Sequence, residues 1–228
     1  GVGKPFKTQN NTTTTNRNLI GPYGDTAESI SASESNGGVP ASFYVENSEV
    51  SKTTLTFLFR LSEIKSTGTS ANSIPTTVRF AIEWAVEGED FNNATALDKV
   101  KVSTAQIFNL GEKDTGGDKN STYAEELVKY NVDNGYIEIT ALSTSGAKVS
   151  FEVDLSKKGK TYDASNPNKS NRIIKVHKLT GEGDEEQRGE NERSMQLNTV
   201  TEHIPCDLNY PGSALISTTI DSRGFAGT

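Results

Sequence analysis

Three stretches of this chain alternate apolar and polar residues with a period of two. Leu55, Phe57, Phe59 and Leu61 fall on one side of an extended segment, with Thr54, Thr56 and Arg60 on the other. The same pattern returns at Val78, Phe80, Ile82, Trp84 and Val86, and again at Val149, Phe151, Val153 and Leu155. In a strand successive side chains point to opposite faces, so each stretch has one face for a core and one for water. Parallel sheets covered on both sides do not alternate so cleanly. The pattern therefore predicts an all-β fold: an antiparallel β-sandwich of two sheets packed face to face.

Further strands are expected at Tyr136–Ala141, Ile173–Leu179, Met195–Glu202 and Ala214–Ile220, with turn chemistry at Asp133-Asn134-Gly135 and Ser145-Gly146. Thr122–Tyr130 fits either period: Thr122 and Glu125 mimic a capping box, while a strand fits the same short window. Residues 1–45 are rich in Thr, Asn, Ser and Gly and offer little to bury. They read as an extended polar linker or arm that takes its order from a neighbouring surface. The sandwich is expected over residues 46–204, interrupted by an insertion at about 91–134, and residues 205–228 form a C-terminal strand segment.

Composition narrows the function. The net charge of -7, from 23 basic and 30 acidic residues, opposes a sequence-independent grip on nucleic acid or an anionic membrane. No run approaches the ~18–20 apolar residues of a membrane span. A single cysteine, Cys206, allows no internal disulfide and reads as a small apolar residue. The first residues lack the basic start and apolar block of a secretory signal, which fits a cytoplasmic chain, a processed one, or a piece of something longer.

No motif for catalysis survives inspection. Gly1-Val2-Gly3-Lys4 imitates the end of a phosphate-binding loop, but Pro5 stands where the metal-binding hydroxyl belongs. The two histidines have bland readings: His177 alternates with Ile174 and Val176 and should face solvent, and His203 lies near a strand end. The carboxylates between Glu182 and Glu192 lack the order of a calcium loop and carry Arg188 among them, so the segment reads as a solvated acidic crossover. Asn11, Asn93, Asn120 and Asn168 meet the glycosylation acceptor pattern, as expected by chance in so Asn/Ser/Thr-rich a chain. No metal ligand, cofactor site or catalytic residue is assigned, and the chain is expected not to be an enzyme.

The most distinctive text is C-terminal: the basic strand Asn171–Thr180 ending in Leu179-Thr180, a polar crossover, Thr199–Pro205, then Asp207–Ile216 and Ile220-Asp221. This resembles the tail-tip attachment (host-specificity) protein J family, the central tail hub of lambda-like siphophages. Its members carry a basic strand ending in Leu-Thr, a variable loop, a Thr-Glu-hydrophobic-Ile strand, and a Tyr-Pro-x-Ser-Ala-Leu segment leading to Ile-Asp. The likeness runs from Val50 to Phe225, with an insertion larger than usual and a more acidic crossover. The resemblance implies a fibronectin-III-like sandwich in or beside the tail-tip hub, hence a structural virion protein that scaffolds host attachment and genome delivery. It further implies assembly as a homotrimer with other tail-tip proteins and a host surface receptor as an additional partner. Tyr210 and Pro211 fix an extended lead into Ser213, Ala214 and Leu215, a strand expected to pair across a domain or subunit boundary. The rival is a sandwich adhesin or carbohydrate-binding module, using Phe108, Tyr123 and Tyr130 of the insertion as contact aromatics. A hydrolase built on carboxylates ranks below both, since nothing singles out its base.

Overall fold

The computed structural model describes residues 8–24, 26–47, 49–67, 70–87, 91, 100–102, 106–108, 121–123, 128–155, 171–181 and 191–205. Within them the chain forms β1 (Thr8–Asn18), α1 (Ile30–Ser35), β2 (Ala41–Val45), β3 (Lys52–Thr67), β4 (Ser70–Ile74), β5 (Thr76–Val86), β6 (Val100–Val102), β7 (Gln106–Phe108), β8 (Ser121–Tyr123), β9 (Val128–Asn131), β10 (Tyr136–Ala141), β11 (Ser143–Asp154), β12 (Arg172–Lys178) and β13 (Asn191–Pro205). One sheet has the order β1-β13-β3-β11-β6, with β4 paired to the far end of β3, and the other runs β2-β12-β5-β10-β9. Neighbouring strands are antiparallel in both sheets. The fold is an all-β antiparallel sandwich, as the alternation predicts.

The inward faces are those read from the sequence. Leu55, Phe57, Phe59 and Leu61 of β3, together with Val149, Phe151 and Val153 of β11, are buried against Val78, Phe80, Ile82, Trp84 and Val86 of β5. Phe80 of one sheet meets Phe57, Phe59 and Phe151 of the other at ring-centroid distances of 5.6, 6.0 and 5.3 Å. Ile137, Ile139, Ile174, Val176, Met195 and Leu197 complete the layer. Two chain passages switch sheets at one corner: only Pro75 separates β4 from β5, and only Leu142 separates β10 from β11. Proline suits that bend because it leaves no backbone donor unmet.

The structure corrects four expectations. Residues 8–45 are not a linker: β1 pairs with β13 from Thr8↔Pro205 to Asn18↔Gln196, and β2 pairs with β12, so this segment contributes an edge strand to each sheet. Backbone pairing needs no apolar side chain, and Leu19, Ala27, Ala41 and Val45 supply the few buried anchors. The sandwich thus begins at Thr8 among the described residues, not at residue 46. The 91–134 segment is not wholly inserted, because β6 joins β11 and β9 joins β10, lengthening both sheets. Ser145-Gly146 is no turn between strands but a bulge inside β11, where the register shifts between Ser143 and Ala147 and Gly146 takes φ 90°. Asn134-Gly135 does make its turn, with Gly135 at φ 71°.

The fourth correction concerns His177. It lies on the outer face of its sheet, as alternation requires, yet α1 packs over that face and buries it. Thr122–Tyr130, open between helix and strand, contains the end of β8 and the start of β9, with residues 124–127 outside the described residues. The C-terminal segment from residue 206, including Cys206 and the strand expected from Tyr210, Pro211, Ser213, Ala214 and Leu215, also lies outside them.

Candidate functional site

The edge strand β1 is the least self-sufficient element of the sandwich. Its residues Asn10 to Asn18 are exposed, on both faces, so among the described residues the strand is held by β13 and by the Arg17 guanidinium, which donates to the Pro40 carbonyl at 3.4 Å. A polar ladder reinforces the backbone pairing. Thr12 and Thr201 hydroxyls meet at 2.9 Å, Thr15 donates to the Leu197 carbonyl at 2.7 Å, and the Gln196 amide donates to Asn18 Oδ1 at 3.0 Å. His203 ties three strands: its Nδ1 is 2.8 Å from Asn10 Oδ1 on β1, and its Nε2 is 2.8 Å from Thr54 Oγ1 on β3. A neutral imidazole with the proton on Nδ1 satisfies both contacts, donating to the amide oxygen and accepting from the hydroxyl. Burial, then the nearby Lys52, hold its pKa below the usual histidine value of 6.5, with Glu152 opposing.

The outer edge of β1 pairs with nothing among the described residues. Natural edges are usually guarded by lysine, proline or a bulge. Thr8–Thr14 has no charge and no proline, and the irregularity comes only after it, between Thr14 and Arg17, with Asn16 at φ 47°. Asparagine tolerates this left-handed conformation better than most residues. Seven consecutive residues therefore present a regular, polar, unguarded edge.

Beside the far end of β1 lies a cleft. After Leu19 donates to the Met195 carbonyl at 2.9 Å, the chain leaves the first sheet for the second, and the start of β13 loses its β1 neighbour. The resulting cavity, about 590 Å³, is lined among others by Asn18, Tyr23, Arg60, Lys178, Glu192 and Gln196. Ile20 and Tyr23 of its wall are held by the Val39 amide on the Ile20 carbonyl at 3.1 Å and the Tyr23 amide on the Asn36 carbonyl at 2.8 Å. Tyr23 is 71% exposed, and its ring lies against Gly37, where even a Cβ would collide with it. Gly37 sits at φ 86°, so glycine is needed there for both space and backbone.

The other concentration of polar groups is under α1. His177 Nε2 lies 3.0 Å from a Glu83 carboxylate oxygen and Nδ1 3.5 Å from Glu34 of the helix. Ser29 caps α1 by accepting from the Ala32 amide, and Ser33 donates to the Lys178 carbonyl at 2.9 Å. Arg79 pairs with Glu138 at 2.8 Å and stands over the Tyr136 ring. The arrangement docks a six-residue helix on the sheet over the buried His177. Among the described residues no group of three or more His, Cys, Asp or Glu is placed to hold a metal ion. No helix among them is long and apolar enough to cross a membrane.

The aromatics expected to form a contact surface are divided between two sheets. Phe108 and Tyr123 lie at opposite ends of the β7–β8 hairpin, opposite Ser121 and Gln106, while Tyr130 belongs to the other sheet through β9. Tyr130 is partly buried and packs against the main core. The residues that sequence reasoning passed over are Tyr23 and the β1 ladder. The signal for Tyr23 was the pair Gly37-Gly38, two adjacent positions where any side chain would strike a neighbour, the second against Ser33. Comparison with known protein families and with curated proteins finds no match.

Proposed function

We propose that this chain is a noncatalytic structural module of a bacteriophage virion, part of the tail-tip hub that scaffolds host attachment and genome delivery. The observation that carries this reading is the β1 edge: eleven residues long, polar, exposed on both faces where its side chains are described, and open along its outer side among the described residues. Such a strand gains little from the sandwich it belongs to and is a ready template for a strand from another polypeptide. The sequence likeness to the tail hub family supplies the context, since its Asn171–Thr180 and Thr199–Pro205 stretches fall largely on β12 and β13, each the strand next to an edge of its sheet. On this reading the sandwich is the fibronectin-III-like region of the hub, assembles as a homotrimer with other tail-tip proteins, and performs no chemistry.

Imaging of the intact particle tests it. The chain should lie at the tail tip with β1 continued by a strand from a neighbour, an interface of more than ~1,000 Å² in total. Asn11→Lys combined with Thr13→Lys, both exposed positions, should abolish assembly while leaving the melting temperature of the isolated chain unchanged. A chain absent from the tail tip, or an assembly indifferent to these lysines, refutes the proposal.

A further inference from the structure

We propose that the cleft at the end of β1 is a glycan-binding site that takes an oligosaccharide carrying a carboxylate sugar. Its volume, about 590 Å³, falls within the range of small-molecule sites. Tyr23 supplies a stacking platform. One side of its ring is seated on Gly37, its backbone is anchored to Asn36, and the residue is 71% exposed, so the free side faces solvent. An aromatic ring held at low entropic cost suits the apolar C–H face of a pyranose.

The polar wall matches the rest of a sugar. The Gln196 amide donates to Asn18 Oδ1 at 3.0 Å, which uses one group of each side chain and leaves the Gln196 oxygen to accept and the Asn18 nitrogen to donate. A sugar hydroxyl both donates and accepts, and two amides of opposite polarity at one wall serve it. Arg60, exposed on the outer face of β3, makes no hydrogen bond or ion pair among the described residues, and its planar fork fits a carboxylate in bidentate fashion. One unpaired guanidinium, on a protein whose net charge is -7, selects a discrete anionic group rather than a polyanion such as nucleic acid. The site shares only Asn18 with β1 and stands whether or not the chain belongs to a virion.

Titration of the full chain with hexagalacturonate and with a hyaluronan hexasaccharide, followed by calorimetry and by the NMR signals of the Tyr23 ring, decides the matter. At least one of the two should bind with a Kd of ~0.1–1 mM and shift the Tyr23 resonances, with uncharged maltohexaose at least about tenfold weaker. Tyr23→Ala and Arg60→Gln should each weaken binding about tenfold, and Tyr23→Phe, which keeps the ring, should bind as the parent does. Both positions are exposed, so the melting temperatures of these variants should match the parent's and show that the fold is intact. Failure of both acidic probes to bind, equal binding of maltohexaose, or affinity unchanged by Tyr23→Ala and Arg60→Gln overturns the proposal.

Discussion

Phe80→Ala is the sharpest perturbation of the two-layer packing. Phe80 is fully buried on β5 and reaches across the interface to Phe57, Phe59 and Phe151 of the opposite sheet. Truncating a buried phenylalanine costs ~3–5 kcal/mol in lost transfer energy and residual cavity. Each aromatic pair contributes a further ~0.5–1.5 kcal/mol beyond area burial. With three ring partners gone, the loss belongs at the upper end, about 4–5 kcal/mol, equivalent to a fall in Tm of roughly 8–20 °C for a chain of this length. The assay is built in: Trp84, the one tryptophan, is buried four residues along the same strand and reports urea unfolding by fluorescence. A double-mutant cycle isolates the inter-sheet contact. Phe80→Leu with Phe151→Leu should show a coupling of about 1 kcal/mol, because these rings meet edge-on at 5.3 Å and 76°. If both single variants are destabilised yet the coupling stays below ~0.3 kcal/mol, the rings do not touch and the packing described above is wrong.

Three further outcomes are expected. His203 has a lowered pKa in the folded chain, so below pH 6.5 the unfolded chain takes up a proton that the folded chain resists. Stability therefore falls as pH drops from 6.5 toward the folded value, and the difference between parent and His203→Gln melting curves should narrow over that window; a pH-independent difference contradicts the assignment. Gly37→Ala places a Cβ at φ 86° and against the Tyr23 ring, and should cost about 1–2 kcal/mol in urea denaturation while altering the near-ultraviolet circular dichroism of the tyrosine. Arg172→Met removes the guanidinium that donates to the Val50 and Asn47 carbonyls, where burial holds its pKa below the usual arginine range against the opposing charge of Glu202. The stranded carbonyls outweigh the relief of an expensively buried charge, and a net loss of about 2 kcal/mol by urea denaturation is expected; a more stable variant reverses that ranking.

The sequence by itself determined the two-layered body. Alternation in Leu55–Leu61, Val78–Val86 and Val149–Leu155 commits those side chains to one face, because a strand has only two, and the buried rings of Phe57, Phe80 and Phe151 follow from it. It did not determine what closes the edges. Thr8–Asn18 has no apolar residue and Asn10–Asn18 is exposed, so no hydrophobic signal marks it, and only the long-range register with Gln196–Pro205 makes it a strand. His177 read as exposed because alternation reports the face of a sheet and not what lies on top of it, which here is α1. The cleft was equally illegible: Tyr23, Arg60 and Gln196 are far apart in the chain, and they share a wall only because β1 ends where it does and the chain crosses to the other sheet. Local periodicity fixes which way a side chain points, whereas a site depends on which distant segments are brought beside it, and that is decided by tertiary pairing.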